Sequence, residues 1–135
     1  MGKLKLLYCL ETIGSGDSEK RVYDQASRLE KDHFIQKAVC INALGPLPDQ
    51  MEAWGIEVID IGRLNSPFNI YRVQMILQVI KSYKPHVING IGPTGIKMAR
   101  AAGKLGRVPV VVFGEDQDFH RLYQDLAGGN KPYQR

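Results

Sequence analysis

Apolar and polar positions along this chain group into short segments that predict strands and helices in turn. Residues 4–10 form a brief, mostly apolar run, which is typical of a buried parallel strand. Downstream, Val22, Ala26 and Leu29 fall on one face of a helix whose other faces are polar. The chain therefore opens with a strand, a loop and an amphipathic helix.

The alternation continues along the rest of the chain. Further strands are predicted at residues 36–42, 56–61, 86–89 and 108–113, and further helices at 48–54, 69–83, 95–105 and 118–126, with an irregular tail at 128–135. Alternating strands and helices imply a parallel sheet that is covered on both faces. We predict one Rossmann-like domain over residues 1–135, with three α/β/α layers and the strand order 3-2-1-4-5.

The predicted strand order also places a binding crevice. The chain reverses direction between the first and fourth strands, and ligands of open α/β sheets bind outside the carboxyl ends at such a point. The loops that meet there are residues 10–17 and 89–95, with 115–118 beside them. Gly14 and Gly16 free the backbone of the first loop, and Asp17 or Ser18 is expected to cap the next helix. The amides at that helix start would cradle an anionic group.

The second loop carries a formal G-x-G-x-x-G pattern at Gly90, Gly92 and Gly95, and Glu115 follows near the end of the next strand. A small nicotinamide- or flavin-binding protein is therefore one alternative. Two features count against it: the pattern follows the fourth strand rather than the first, and Glu115 is about two positions out of step with the expected acidic residue.

The composition is that of an ordinary globular protein, with 44% hydrophobic and 24% charged residues. No run approaches the roughly 20 apolar residues of a membrane helix. Cys9 and Cys40 lie inside predicted strands, and we expect buried reduced thiols and a cytoplasmic protein. The three histidines, His33, His86 and His120, are scattered without metal-ligand spacing, so no metal site is predicted.

The formal net charge is +4, and four basic residues line one stripe of a predicted helix: Lys97, Arg100, Lys104 and Arg107. One interpretation is a solvated helix face. The other is a surface that attracts an anionic membrane or substrate. Nucleic acid is not predicted as a partner, because Ala and Gly rather than aromatic residues interleave the basic positions.

Four segments, in order, resemble family 4 glycosyltransferases, which have the two-domain GT-B fold. They are residues 7–29, 39–62, 80–89 and 106–116, and the resemblance covers about residues 4–118. It implies the acceptor-binding half of a retaining enzyme, which transfers a sugar from a nucleotide-sugar to a glycan or lipid-linked acceptor. The donor-binding domain would be absent, so this chain alone would be inactive, and that domain would act in cis or as a second chain. No cofactor is implied, since the nucleotide-sugar is a substrate.

The resemblance also implies site residues. Gly14, Ser15 and Gly16 would border the donor phosphates and the acceptor. Asn89 stands where the family often has His, and it could hydrogen-bond a sugar hydroxyl without the proton chemistry of His. The full predicted set for substrate or phosphate is Gly14, Ser15, Gly16, Asp17, Asn89, Gly90, Gly92, Thr94 and Glu115.

A second function class stays open beside the enzyme. The chain could be a non-catalytic Rossmann-like binding or interaction module, which the missing donor half and Asn89 in place of His both favour. For the enzyme we expect peripheral contact with the inner face of the plasma membrane through the basic stripe.

Overall fold

The computed structural model describes residues 2–14, 16–62, 69–115 and 117–127. Within them strands and helices alternate along the chain. The strands are β1 (Leu4–Ile13), β2 (Phe34–Ala43), β3 (Glu57–Asp60), β4 (Val87–Gly90) and β5 (Val110–Phe113). The helices are α1 (Asp17–Ser27), α2 (Leu47–Trp54), α3 (Asn69–Tyr83), α4 (Gly92–Leu105) and α5 (Phe119–Ala127). The tail predicted to be irregular, 128–135, lies outside the described residues.

The five strands form one parallel sheet in the order β3-β2-β1-β4-β5. This confirms the predicted Rossmann-like α/β fold and its strand order. β1 occupies the centre, where it pairs with β2 on one side and β4 on the other. The chain therefore reverses direction between β1 and β4, as the strand order predicted.

Side chains of β1 alternate between two hydrophobic cores, one on each face of the sheet. Leu6, Tyr8 and Leu10 pack in the core that contains residues of α1, α2 and α5. Leu7 and Cys9 pack in the other core, with residues of α3 and α4. Because strand side chains point alternately to the two faces, one central strand joins both cores into a three-layer structure.

The helical stripes that the sequence predicts face these cores. Val22 and Ala26 of α1 are buried, and Leu29 is buried just beyond the helix end. In α3, Ile76 and Ile80 are buried. Gly55 ends α2 with a φ of 102°, which a glycine adopts without steric cost.

Two element boundaries differ from the prediction by three residues, and the other predicted bounds differ by two residues or fewer. β1 continues to Ile13 rather than ending at residue 10, because Thr12 and Ile13 still pair with Asn42 and Ala43 of β2. The polar residue Glu11, which indicated a loop, is an exposed strand residue. α4 begins at Gly92 rather than residue 95, since proline is well suited to the first turn of a helix and Pro93 stands there.

The start of α4 lies unusually close to the centre of the sheet. A Cβ added at Gly95 would overlap the carbonyl oxygen of Cys9 in β1. A Cβ added at Gly90 would lie 2.6 Å from the carbonyl oxygen of Gly95 and 2.8 Å from Cβ of Ala99. Only glycine fits at both positions, so Gly90 and Gly95 set the approach of α4 to β1 and β4.

Cys9 and Cys40 are buried and unpaired, which confirms the prediction of buried reduced thiols. Burial raises the pKa of each thiol to about 12. Within the part of the chain that the structure describes, no helix has both the length and the apolar character needed to cross a membrane.

We expect Gly95→Ala to lower the free energy of unfolding by about 1–3 kcal/mol, although alanine is the better helix former. The new methyl group must displace the β1 backbone at Cys9, which two neighbouring strands hold in place. Urea denaturation measures the change. Gly2→Ala is the matched control, because nothing lies within 4 Å of a Cβ at that position. Equal stability of the two variants would contradict the close approach.

We also expect both thiols to resist reaction with a chromogenic disulfide in the native protein at pH 8. With a pKa of about 12, on the order of one thiol in 10⁴ is ionised at that pH, and neither sulfur is accessible. Titration with a chromogenic disulfide should count two reactive thiols in denaturant and none on the same timescale in buffer. A fast-reacting native thiol would show that one cysteine is exposed.

Candidate functional site

The carboxyl ends of β1 and β4 border a small cavity at the point where the chain reverses direction. Its volume is about 230 Å³, and it opens between the first turn of α1 and the first turn of α4. The lining residues are Leu10, Glu11, Thr12, Ser18, Glu19, Ile91 and Gly92. We refer to this cavity as the crevice. Of the predicted substrate-binding residues, Gly92 lines it.

The first loop brings acidic groups to the crevice. Gly16 is the N-cap of α1, Asp17 is the first helical residue, and no described residue caps the helix through its side chain. The expectation that Asp17 or Ser18 caps α1 is therefore wrong. The physical reason is that the helix begins one residue earlier than expected, so both side chains belong to its first turn and Gly16 takes the N-cap position.

Acidic residues already neutralise the positive end of α1. Asp17 and Glu19 both lie in its first turn, and a carboxylate there interacts favourably with the helix dipole. Gly14 is buried at the end of β1, and Ser15 lies outside the described residues. The role of this loop as an anion cradle stays a prediction, and the two carboxylates disfavour it electrostatically.

The second loop presents a helix start of different character. Ile91 is the N-cap of α4, and its N–H donates to the carbonyl oxygen of Cys9 at 2.9 Å. Gly92 has a φ of +73°, and a Cβ there would meet nothing within 4 Å. The first turn of α4, all of it described, contains no acidic residue, and Thr94 is half-buried in it.

The three glycines of the G-x-G-x-x-G pattern each have a local explanation. Gly90 and Gly95 allow the tight packing of α4 on the sheet, and Gly92 adopts a left-handed conformation. None of these requirements depends on a dinucleotide. The pattern is thus explained by the turn and by packing.

Asn89 lies directly beneath the crevice. It pairs in register with Tyr8 and Val112, two residues deeper in the sheet than Leu10 and Ile91. Its side chain is 1% exposed, and neither Oδ1 nor Nδ2 has a hydrogen-bond partner among the described residues. Asn89 does not line the crevice, so direct contact with a ligand stays a prediction.

A second buried amide shows how this core satisfies a polar group. Gln36 is 5% exposed, and its Oε1 accepts a hydrogen bond from Oη of Tyr8 at 2.6 Å. Its Nε2 donates to the carbonyl oxygen of Ala26 at 3.0 Å. Burial raises the pKa of Tyr8, so the phenol stays protonated and keeps donating. Asn89 departs from the rule that buried polar groups are paired.

Glu115 belongs to a different cavity. Its Oε1 accepts from Nη1 of Arg21 at 2.8 Å, which ties the segment after β5 to α1. Both residues line a cavity of about 410 Å³ together with Arg28 of the segment after α1 and His120 of α5. The structure thus separates Glu115 from the crevice residues with which the sequence grouped it.

All four residues of the basic stripe are exposed. Lys97, Arg100 and Lys104 lie on α4, but Arg107 lies beyond the C-cap of α4 with a φ of 55°, so the prediction of one helical stripe is wrong for Arg107. Arg100, Lys104 and Arg107 line a cavity of about 650 Å³ beside β5. Lys97 is not among the described residues that line it. That the basic stripe binds a membrane or an anion stays a prediction.

The sequence placed the loop at residues 10–17 beside the crevice but did not name its polar lining residues, which are Glu11, Thr12, Ser18 and Glu19. The change from apolar to polar at Glu11 indicated a loop. The usable signal was that polar residues at the carboxyl end of a central strand border the switch point. Among the described residues, no group of three His, Cys, Asp or Glu side chains could hold a metal ion.

Comparison with known proteins identifies a fold and no family. No family model matches the sequence, and no curated protein matches it. One solved structure with a similar fold is phosphoribosylglycinamide formyltransferase from Brucella melitensis, at a TM-score of 0.55 and 16% sequence identity. The match covers 96% of this chain and 68% of that chain. At this identity the likeness concerns the fold alone.

These findings contradict the resemblance to family 4 glycosyltransferases. The similar solved structure is a formyltransferase rather than a GT-B glycosyltransferase, and no family model supports the resemblance. The assignment is therefore wrong, and the role of acceptor-binding half is not retained. The resemblance arises because a Rossmann-like sheet requires strands, glycine turns and helices in this order. Proteins with many unrelated activities share this fold.

We expect Asn89→Leu to raise the free energy of unfolding by about 1–3 kcal/mol, since it removes, at similar volume, a buried amide that has no partner among the described residues. Gln36→Leu is the matched control. It should lower stability, because Oη of Tyr8 then loses its acceptor inside the same core. Urea denaturation of both variants tests the contrast. A loss of stability in Asn89→Leu equal to that in Gln36→Leu would show that Asn89 has a partner.

Proposed function

We propose that this chain is a non-catalytic binding module on a Rossmann-like fold, and that its crevice binds a small amine cation or the amine-bearing end of a larger molecule. One observation carries the proposal. The crevice at the switch point is lined by two carboxylates, Glu11 and Glu19, and two hydroxyls, Thr12 and Ser18, while none of its described lining residues is basic.

The balance of charge supports a cation. The positive ends of α1 and α4 together contribute about one elementary charge, whereas Glu11 and Glu19 contribute two negative charges when ionised. The first turn of α1 adds the carboxylate of Asp17 beside the crevice. The local potential is therefore negative. An ammonium group would be attracted, and its N–H groups would find carboxylate and hydroxyl acceptors.

The size of the crevice supports a small ligand. At about 230 Å³ it falls below the roughly 300–1,000 Å³ of pockets that hold drug-sized molecules. Leu10 and Ile91 supply an apolar floor, which suits the methylene groups next to an amine. A diamine or an aminoalkyl group matches both the charge and the volume.

The same charges argue against two other functions. The formyltransferase of similar fold is named for a phosphoribosyl substrate, and a phosphate in this crevice would face Glu11 and Glu19. A nicotinamide or flavin dinucleotide would bring its pyrophosphate to the same place. Glu115, the acidic residue of that pattern, instead pairs with Arg21.

We expect putrescine and methylamine to raise the melting temperature, whereas glycerol leaves it unchanged. A ligand at a hundred times its Kd stabilises the folded state by about 2.7 kcal/mol, which a thermal shift detects. Glu11→Gln combined with Glu19→Gln should weaken amine binding about tenfold or more, because the charged acceptors are lost.

The matched control combines Glu30→Gln with Asp32→Asn. It removes the same charge from the segment between α1 and β2, and amine affinity should not change. A shift with glycerol alone would contradict the proposal, and so would a shift with phosphate that Glu11→Gln combined with Glu19→Gln abolishes. Equal weakening in both double variants would also contradict it, since the effect would then come from overall charge.

A further inference from the structure

A basic groove runs along the ends of α3 and α4 and the outer strand β5. It consists of two adjoining cavities of about 650 Å³ and 600 Å³, which share Arg107, Val108 and Pro109. We refer to them together as the α4 groove. It lies on the α3 and α4 side of the sheet and shares no described lining residue with the crevice.

The charged lining of the α4 groove has one sign. Five cationic side chains line it, and no described Asp or Glu does. They are Lys81, Lys84, Arg100, Lys104 and Arg107. His86 adds a neutral imidazole, because burial and the neighbouring Lys5 lower its pKa. Its Nδ1 accepts from the backbone N–H of Lys5 at 3.0 Å, which leaves Nε2 to carry the ring hydrogen.

Apolar surface fills the space between the cations. Leu77, Ile80 and Leu105 line one cavity, and Val111 and Phe113 line the other. Leu105 is 65% exposed although it is large and apolar. The guanidinium of Arg100 lies 5.2 Å from the centre of the Phe113 ring, so a cation–π contact covers one wall. The groove thus combines apolar walls with a cationic rim.

Helix dipoles explain only part of this arrangement. Basic residues near helix C-termini are favourable, which accounts for Lys81 and Lys104. Arg100 lies before the last turn of α4. Lys84 and Arg107 each have a φ of 55°, a left-handed conformation in which glycine is normally preferred after a helix. The segment just after each of these helices therefore carries a basic residue at a position where the backbone conformation favours glycine.

We propose that the α4 groove binds a molecule in which a phosphate group is joined to an apolar body. The phosphate would interact with Lys84 and Arg107, and the body would lie against Leu105, Val108 and Phe113. This site is separate from the crevice and does not depend on the function proposed there. The chemistry is shared by soluble alkyl phosphates and by phospholipid head groups.

The first experiment compares hexyl phosphate, inorganic phosphate and hexanol by titration against the full chain. We expect hexyl phosphate to bind about tenfold more tightly than inorganic phosphate, because burial of two methylene groups is enough for that difference. Hexanol, which lacks the charge, should bind more weakly than hexyl phosphate. Equal affinity for inorganic and hexyl phosphate would overturn the role of the apolar walls.

The second experiment uses Lys84→Gly combined with Arg107→Gly. We expect affinity for hexyl phosphate to fall about tenfold or more, while stability to urea is unchanged or rises because the left-handed strain is relieved. A purely structural role for these side chains predicts the reverse, lower stability with unchanged affinity. That result would overturn the proposal.

The matched control combines Lys20→Gln with Arg28→Gln, which removes one lysine and one arginine from the α1 side of the sheet. Its affinity for hexyl phosphate should equal that of the unmodified chain, and equal weakening would show diffuse attraction instead. Phosphatidylcholine vesicles with and without phosphatidylglycerol form a further arm. Binding to anionic vesicles without binding of hexyl phosphate would show that the α4 groove is a membrane-binding surface, and it would overturn the proposed ligand site.

Discussion

The close contact between α4 and the carbonyl group of Cys9 determines where everything else at the carboxyl edge can lie. That oxygen accepts a hydrogen bond from the N–H of Ile91 and has the backbone of Gly95 directly against it. Cys9 belongs to the central strand, which β2 and β4 hold on both sides. The strand therefore cannot move to make room for a side chain at position 95. α4 therefore starts beside β1, and a crevice opens between α4 and the first turn of α1.

This constraint also explains why a pattern typical of ligand binding appears in the sequence. Gly90 and Gly95 are small because α4 lies against β4 and β1, and Gly92 is a glycine because its φ is positive. A strand, a glycine turn and a helix in this order satisfy the geometry of any Rossmann-like sheet. Resemblance through such segments reports the fold more strongly than the activity, and the similarity to a formyltransferase at 16% identity has the same meaning.

The order of the elements could be predicted because hydrophobic periods are local, as the buried stripe of α3 at Ile76 and Ile80 shows. The end of β1 could not be predicted, because Glu11 is a polar, exposed residue. The strand continues past it through pairing with β2. The N-cap of α1 could not be predicted either, because Gly16 takes that position without a side-chain cap among the described residues. The unpaired amide of Asn89 is a tertiary property, visible only once the surrounding core is assembled.

The net charge of +4 conceals two regions of opposite sign. Carboxylates lie at the start of α1, and cations lie at the ends of α3 and α4. Each set has the sign that interacts favourably with the dipole of its own helix. Dipole compensation alone would place each charge within one turn of a helix end. Glu11 on β1 and Arg100 before the last turn of α4 both lie outside that range, and each lines a cavity. A helix end therefore does not account for these two residues, whereas the two binding surfaces that we propose, of opposite preference, would account for both.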